Sequence, residues 1–550
     1  MMADRNSTAA AVSPRQLKKM FHDGGELALL DVREQGIFAR GHLLFAVCLP
    51  LSHLELRVAE LVPRRATRIV LCDDGEGLVE RAAERLAGFG YSNLARLAGG
   101  VAGWREAGFE LFSGINVPSK AFGEFVEHHY ATPSVSAEQL KGMLERGENL
   151  VVLDSRPLEE FRVMNIPGAV DVPGAELVYR AAELAPSADT LVVVNCAGRT
   201  RSIIGAQSLI NAGLPNPVVA LRNGTMGWHL AGYPLEHGSE RRAPKVSAAG
   251  LARAREAAGR VAARFGVRKI DHATLARWQA QSAETTVYLL DVRNPEEFQA
   301  GHLPRSRHAP GGQLVQATDH YIATRGARVV LVDDCGVRAT ITASWLIQLG
   351  WEEVFVLRDA LAGVELTGGN APPAVLGLEA GEAGKTGVEE IEARQLSAAL
   401  GEPGWLVVDL ATSRRHADGH IPGAWWAVRS RLEHNLAKTP PCRTLVLTSS
   451  DGLLARLAVA DARAVLGPSG PAIKVLAGGT EAWQAAGLPL AEGLERAAEE
   501  VIDLFQRPYD RFGGERDQEA AMREYLNWEL DLVEQIARDG DARFRKFPAP

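Results

Sequence analysis

Four stretches of the chain repeat one rhythm of hydrophobic and polar positions. Each opens with a polar phrase that predicts the start of a short helix: VSPRQL (12–17), VSAEQL (135–140), KIDHATL (269–275) and IEARQL (391–396). Ser13, Ser136, Asp271 and Glu392 stand at the cap positions, where the Ser and Asp side chains satisfy free N–H groups. An apolar strand ending in an acid follows, with Asp31, Asp154, Asp291 and Asp409 as the acids. A small-residue phrase comes next (41–46, 165–170, 301–306 and 419–424), then a second apolar strand, a loop and a helix. A last strand with a Gly-rich turn closes each copy at 97–104, 221–228, 357–364 and 476–483, ending in Trp except in the third, which has Val364.

The acid is equally far from the first loop residue in three copies: Asp31 to Asp73, Asp154 to Cys196 and Asp291 to Asp333. In the fourth, Asp409 to Ser449 is two positions shorter. Such self-similarity marks a repeat architecture. Apolar strands alternating with helical stretches predict α/β units, each a central, mostly parallel sheet flanked by helices. The units span 11–113, 133–238, 268–372 and 388–492, and each is long enough for its own core. An Ala/Arg-rich helical linker (239–267) separates the halves, and 373–387 reads as a second linker. The tail, 493–550, carries an amphipathic helix with Met522, Tyr525, Leu526, Leu530 and Val533 on its apolar side, expected to pack against a domain.

Composition changes this picture little. A net charge of −8 over 550 residues gives no basic face for nucleic acid. No apolar run is long enough to span a membrane, and the polar first residues lack a signal core, so the expected location is cytoplasmic. The five cysteines, Cys48, Cys72, Cys196, Cys335 and Cys442, are odd in number and widely spaced. That pattern argues against a disulfide framework or a zinc site.

One loop carries candidate chemistry. In VVVNCAGRTRSIIG (192–205) a strand ends at Asn195, Cys196 follows, and a helix is predicted from near Ser202. The thiolate, not the thiol, is the nucleophile. Gly198 permits tight curvature, so successive N–H groups of Ala197, Gly198, Thr200 and Ser202 can line an anion cradle. The helix N-terminus adds positive potential, and Arg199 and Arg201 add full charges toward an anionic substrate. Arg201 has a second possible role, pairing with Asp154 or Glu160 to hold the loop; Arg156 belongs to the same supporting set. Asp73, Asp333 and Ser449 take the thiol's place elsewhere, and Leu78, Arg338 and Leu454 take the place of Arg201. Cys72 lies one residue before the mapped position and Cys335 two after it, each without the full Gly/Arg surround. Asn165 replaces the histidine of the GHIPGA phrase and reads as a surface change at the pocket mouth.

Together, LDSRPLEEF, NIPGA, VVNCAGRTRS and LRNGTMGW in the second copy resemble a rhodanese domain, and LLDVREQGIFARGHL, LLDVRNPEEFQAGHLP and DGHIPGAWW extend the resemblance to the others. It implies four tandem rhodanese-like α/β domains; the C-terminal helical tail lies outside the resemblance, and because Asp73, Asp333 and Ser449 cannot carry a sulfane sulfur, only the second copy is expected to be catalytic. It implies a sulfurtransferase of the thiosulfate type, in which Cys196 carries sulfur as a persulfide from a small anionic donor to cyanide, glutathione or another thiol, with no metal or organic cofactor. A protein acceptor is the alternative, with the chain as scaffold or sulfur relay. Related phosphatases and arsenate reductases have one more loop residue, and the shorter loop here favours sulfur transfer. Two-domain rhodaneses pair a silent N-terminal unit with an active one, so the first and second units are expected to pair, leaving the third and fourth as a silent pair.

Overall fold

The computed structural model describes residues 9–370, 374–378, 388–510 and 515–548. In the second unit the strands lie side by side in the order Ser134–Val135, Val218–Leu221, Leu191–Asn195, Leu150–Asp154 and Val170–Asp171, all parallel. The other units repeat this order, and helices cover both faces. That double cover explains why the strands are continuous apolar runs: Leu27–Asp31 is buried at every position. The predicted helix starts are present. Ser13, Ser136 and Glu392 form reciprocal capping boxes, and Asp271 accepts from the N–H of Thr274 at 2.8 Å.

The acids that end the first strands are buried and anchor the sheet edge from which the loops leave. Asp31, Asp154 and Asp291 each hold the arginine two residues on; Arg156 donates to both oxygens of Asp154 at 2.8 Å. The fourth unit has Ala411 at that place, and His416 Nδ1 takes over against Asp409 at 2.8 Å.

The units do not pair as expected. The second and third share one hydrophobic core, in which Phe122, Leu209, Ala257, Val261, Ile341 and Trp345 meet. The linker helix Ala248–Phe265 lies between these two units rather than spacing the halves apart, and Trp345 Nε1 donates to Ser208 Oγ across them at 2.8 Å. The first unit docks on the fourth, where Arg429 grips Glu55 at 2.8 and 2.9 Å and Ser430 Oγ donates to Glu34 at 2.7 Å. It also borrows a strand: Thr324–Arg325 of the third unit pairs antiparallel with Leu27–Ala28. The reason lies in the side chains exposed by each isolated unit. Ile341 and Trp345 are apolar positions on the helix Val337–Gln348, every residue of which is buried, and only a neighbouring unit can cover them.

Two further expectations change. Asn165 is fully buried, not on the surface, and its Nδ2 donates to the carbonyls of Phe161 and Glu236 at 3.2 Å. His42, His302 and His420 are likewise buried at this position, so the site demands a polar side chain of limited size. Most of the second linker lies outside the described residues; within it, Leu376 rests on the core of the first unit. No helix among the described residues is long and apolar enough to cross a membrane.

Candidate active site

The structure fixes which residues occupy equivalent places. The strand-end acids pair in register with Cys72, Asn195, Val332 and Thr448, so Asp73, Cys196, Asp333 and Ser449 are each the first residue of their loop. The carbonyls behind them are gripped alike: Asp73 O accepts from Val101 N at 3.0 Å, Cys196 O from Thr225 N at 2.8 Å and Ser449 O from Thr480 N at 2.9 Å.

The units without the thiol display the cradle with an occupant in it. Asp73 accepts from the N–H groups of Gly75, Leu78 and Val79 at 2.9, 3.0 and 3.2 Å. Asp333 accepts from Gly336 and Ala339 at 2.6 and 3.2 Å, and Ser449 Oγ from Ala455 at 3.3 Å. In the second unit the counterparts of the Asp73 donors are Gly198, Arg201 and Ser202, and the residue at the place of Asp73 is Cys196, which is 2% exposed. Three inward N–H groups at a helix start form an anion site. The helix begins at Thr200, two residues ahead of the sequence expectation, and runs to Asn211. The hydroxyls of Thr200 and Ser202 are engaged: Ser202 Oγ donates to Arg199 O at 2.7 Å, and Thr200 Oγ1 to Glu529 at 3.2 Å.

Both arginines arrive already paired. Arg199 donates to both oxygens of Glu124 at 2.7 Å, to Asn223 Oδ1 at 3.2 Å, and to Glu127. Glu124 and Glu127 come from the helix Val117–Tyr130, between the first two units. Arg201 donates to both oxygens of Glu160, at 3.0 and 2.7 Å, and to Gln313 of the third unit at 3.4 Å. Of the two expected partners Arg201 pairs with Glu160; Asp154 is taken by Arg156 and by Asn195 Nδ2 at 2.8 Å. Burial opposes the Glu160 charge, but Arg201 more than offsets it and draws that carboxyl down to about 2. Burial likewise works against the Arg201 charge, yet Glu160 and the Cys196 sulfur raise its pKa above the ordinary value. Burial pushes the thiols of Cys48, Cys72, Cys335 and Cys442 up, which favours their protonated form.

The tail forms part of the site, which the sequence reading did not anticipate. On the helix Glu515–Asp539 the buried face is Met522, Leu526, Glu529 and Leu532, whereas Leu530 points outward. Glu529 is fully buried; its Oε1 accepts from Lys120 at 2.7 Å, Thr200 at 3.2 Å and Tyr525 at 3.3 Å. A Cβ on Gly198 would come within 3.1 Å of Glu529 Oε2 and 3.6 Å of the Tyr525 ring, so the helix lies directly on the cysteine loop. Met226, Met522 and Leu526 seal the contact. Asp333, Asp334 and Cys335 have ligand atoms within 4.8 Å of one another, but Asp333 is spent on N–H groups and Asp334 on Arg338, a poor set for a metal.

A thiol at the carboxyl edge of a parallel α/β sheet, beside a helix start, is an arrangement that suits covalent group transfer. The Rhodanese-like domain family matches residues 13–107, 136–231, 274–366 and 392–486, and the chain belongs to that family. Over 98% of its length and all of the other chain, it superposes with a TM-score of 0.91 and 50% identity on the crystal structure of a thiosulfate sulfurtransferase from Pseudomonas aeruginosa. It is 33% identical over 106 residues to an HTH-type transcriptional regulator of Mycobacterium tuberculosis (19% of this chain, 46% of the relative). It is 31% identical over 102 residues to a putative sulfur carrier protein of Bacillus subtilis (18% and 54%). The chain thus spans about half the length of these curated relatives.

Proposed function

We propose that the protein is a thiosulfate-type sulfurtransferase with Cys196 as its single sulfur carrier. The observation that carries this reading is the contrast among the four cradles: Asp73, Asp333 and Ser449 already accept the inward N–H groups, and the second unit alone offers them a sulfur. The crystallographic relative, a thiosulfate sulfurtransferase similar over nearly the whole chain, supports the same reaction. In the first half-reaction the Cys196 thiolate attacks the outer sulfur of thiosulfate. The S–S bond of the donor breaks, its electron pair leaves with sulfite, and Cys196 becomes a persulfide. In the second, an acceptor attacks the outer persulfide sulfur, and the electron pair of the breaking S–S bond returns to Cys196. The N–H groups of Gly198, Arg201 and Ser202 stabilise the anion in both steps without reorganising. Because Arg199 and Arg201 bring their own carboxylates, this backbone cradle, rather than free guanidinium charge, does most of the anion binding.

Intact mass after thiosulfate treatment tests the proposal. Wild type gains one sulfur with one equivalent of sulfite released, and Cys196→Ser gains none. Sulfur retained by the variant would move the carrier to another cysteine, and no loading of either protein would remove thiosulfate as donor.

A further inference from the structure

A cleft of 580 Å³ opens between the second and third units, within the size range of small-molecule sites. Ser155, Asp171, Lys245 and Gln313 are among its walls. Val170–Asp171 is two strands from Leu191–Asn195, with Leu150–Asp154 between them, so the cleft and Cys196 leave the same edge of one sheet. The walls touch the sulfur-carrying loop at two places. Ser155 donates through both N and Oγ to Asn195 O at 2.8 Å, one residue before the thiol. Gln313 accepts from Arg201 at the loop's far end.

Asp171 is the anomaly of this cleft. It is 6% exposed, yet its Oδ1 has no hydrogen-bond partner among the described residues. Arg242, whose field reaches it, is bonded to Glu296 at 2.8 Å. Burial, then the neighbouring Asp154 charge, push its carboxyl up to about 7. A buried polar group without a donor is costly, and such groups mark places where something else completes the hydrogen bonding. Most other charges here are settled: Glu176 by Arg180 and Arg338, Glu297 by Arg338. Lys245 and Glu159 make no ion pair among the described residues. The position is also peculiar to the unit with the thiol. The residues paired with the strand-end acid elsewhere are Cys48, His308 and Trp426.

We propose that this cleft seats the sulfur acceptor, a small thiol carrying an ammonium group and a carboxylate, with the ammonium on Asp171 and the carboxylate on Lys245. The inference rests on the sulfurtransferase reading. The bound thiol loses its proton to solvent, its sulfur attacks the outer sulfur of the Cys196 persulfide, and the S–S electron pair goes to Cys196. The product leaves as the acceptor persulfide.

Cysteine, N-acetylcysteine and cysteamine separate the contributions, with thiosulfate as donor. Asp171→Asn should raise KM for cysteine and cysteamine on the order of tenfold, leaving KM for N-acetylcysteine and the single equivalent of sulfite released without acceptor as in wild type. Lys245→Met should raise KM for cysteine and N-acetylcysteine and spare cysteamine. Equal effects of Asp171→Asn on all three thiols, or no effect on any, would overturn the proposal. Calorimetric titration of cysteamine into wild type and Asp171→Asn reads the cleft without turnover, and no loss of affinity in the variant overturns it too. A wild type that takes no sulfur from thiosulfate strikes the sulfurtransferase reading instead, and is seen separately.

Discussion

Gly224 shows how little freedom the cysteine loop has. Its φ is +54°, and a Cβ there would sit 2.3 Å from Cys196 O and 2.6 Å from Gly198 O. It opens the helix Gly224–Leu230, whose N–H groups at Thr225 and Met226 hold Cys196 O and Ala197 O at 2.8 and 2.9 Å. Gly224→Ala forces that clamp off the loop. We expect a stability loss of about 2 kcal/mol from backbone strain, and sulfur loading slowed on the order of a hundredfold by a misplaced cradle. Sulfite release timed against the thermal unfolding curve separates the two effects. Loading at the wild-type rate in a folded variant would show that the clamp does not set the loop. Part of this was legible in the residues themselves: the acid–arginine pair recurs in three of the four copies, and comparison of the copies singles out Cys196 with Arg199 and Arg201 in the second. The partners of Arg199 were not. Glu124 and Glu127 lie outside any repeat, and no periodicity separates a glutamate that faces water from one that meets a guanidinium.

At the scale of elements, the C-terminal helix was predicted but misread in detail. Periodicity assigns charged residues to the outer face, so it put Leu530 inside and overlooked Glu529. The reverse holds because Lys120, itself nearly buried, meets Glu529 from the helix before the second unit. A buried charge pair is weak evidence for net stability, yet removing one partner leaves the other uncompensated. Lys120→Met should therefore cost about 3 kcal/mol, while Lys120→Met combined with Glu529→Gln should recover most of that loss. Urea unfolding of the single and double variants measures the coupling, and protease sensitivity of the last helix reports whether it has left the loop. A double variant as unstable as Lys120→Met alone would mean that the pair does not dock the helix.

The arrangement of the whole molecule was the least legible level, because docking depends on which face of each unit is left apolar and not on the shared repeat. Identical phrases predict identical units and say nothing of the order in which they meet. The contact of the first unit with the fourth carries its own pH signature. Glu34 is 3% exposed; its Oε1 accepts from Ser52 and Ser430, while Oε2 has no partner among the described residues. Burial, only partly countered by the two hydroxyls, pushes this carboxyl up to about 7 from an ordinary 4.5. The folded protein therefore holds a proton between these values that the unfolded chain has lost, and stability falls as pH rises through that window. Above pH 7 the full penalty of burying the charge is in force, about 3 kcal/mol for a shift of this size. Glu34→Gln keeps an acceptor for both serines and never ionises. At pH 8 the variant should be more stable than wild type by about that amount, and at pH 4 the two should converge. Denaturant unfolding of both proteins across this range reads the slope directly, and parallel profiles would show that Glu34 ionises as freely at the interface as it does in water.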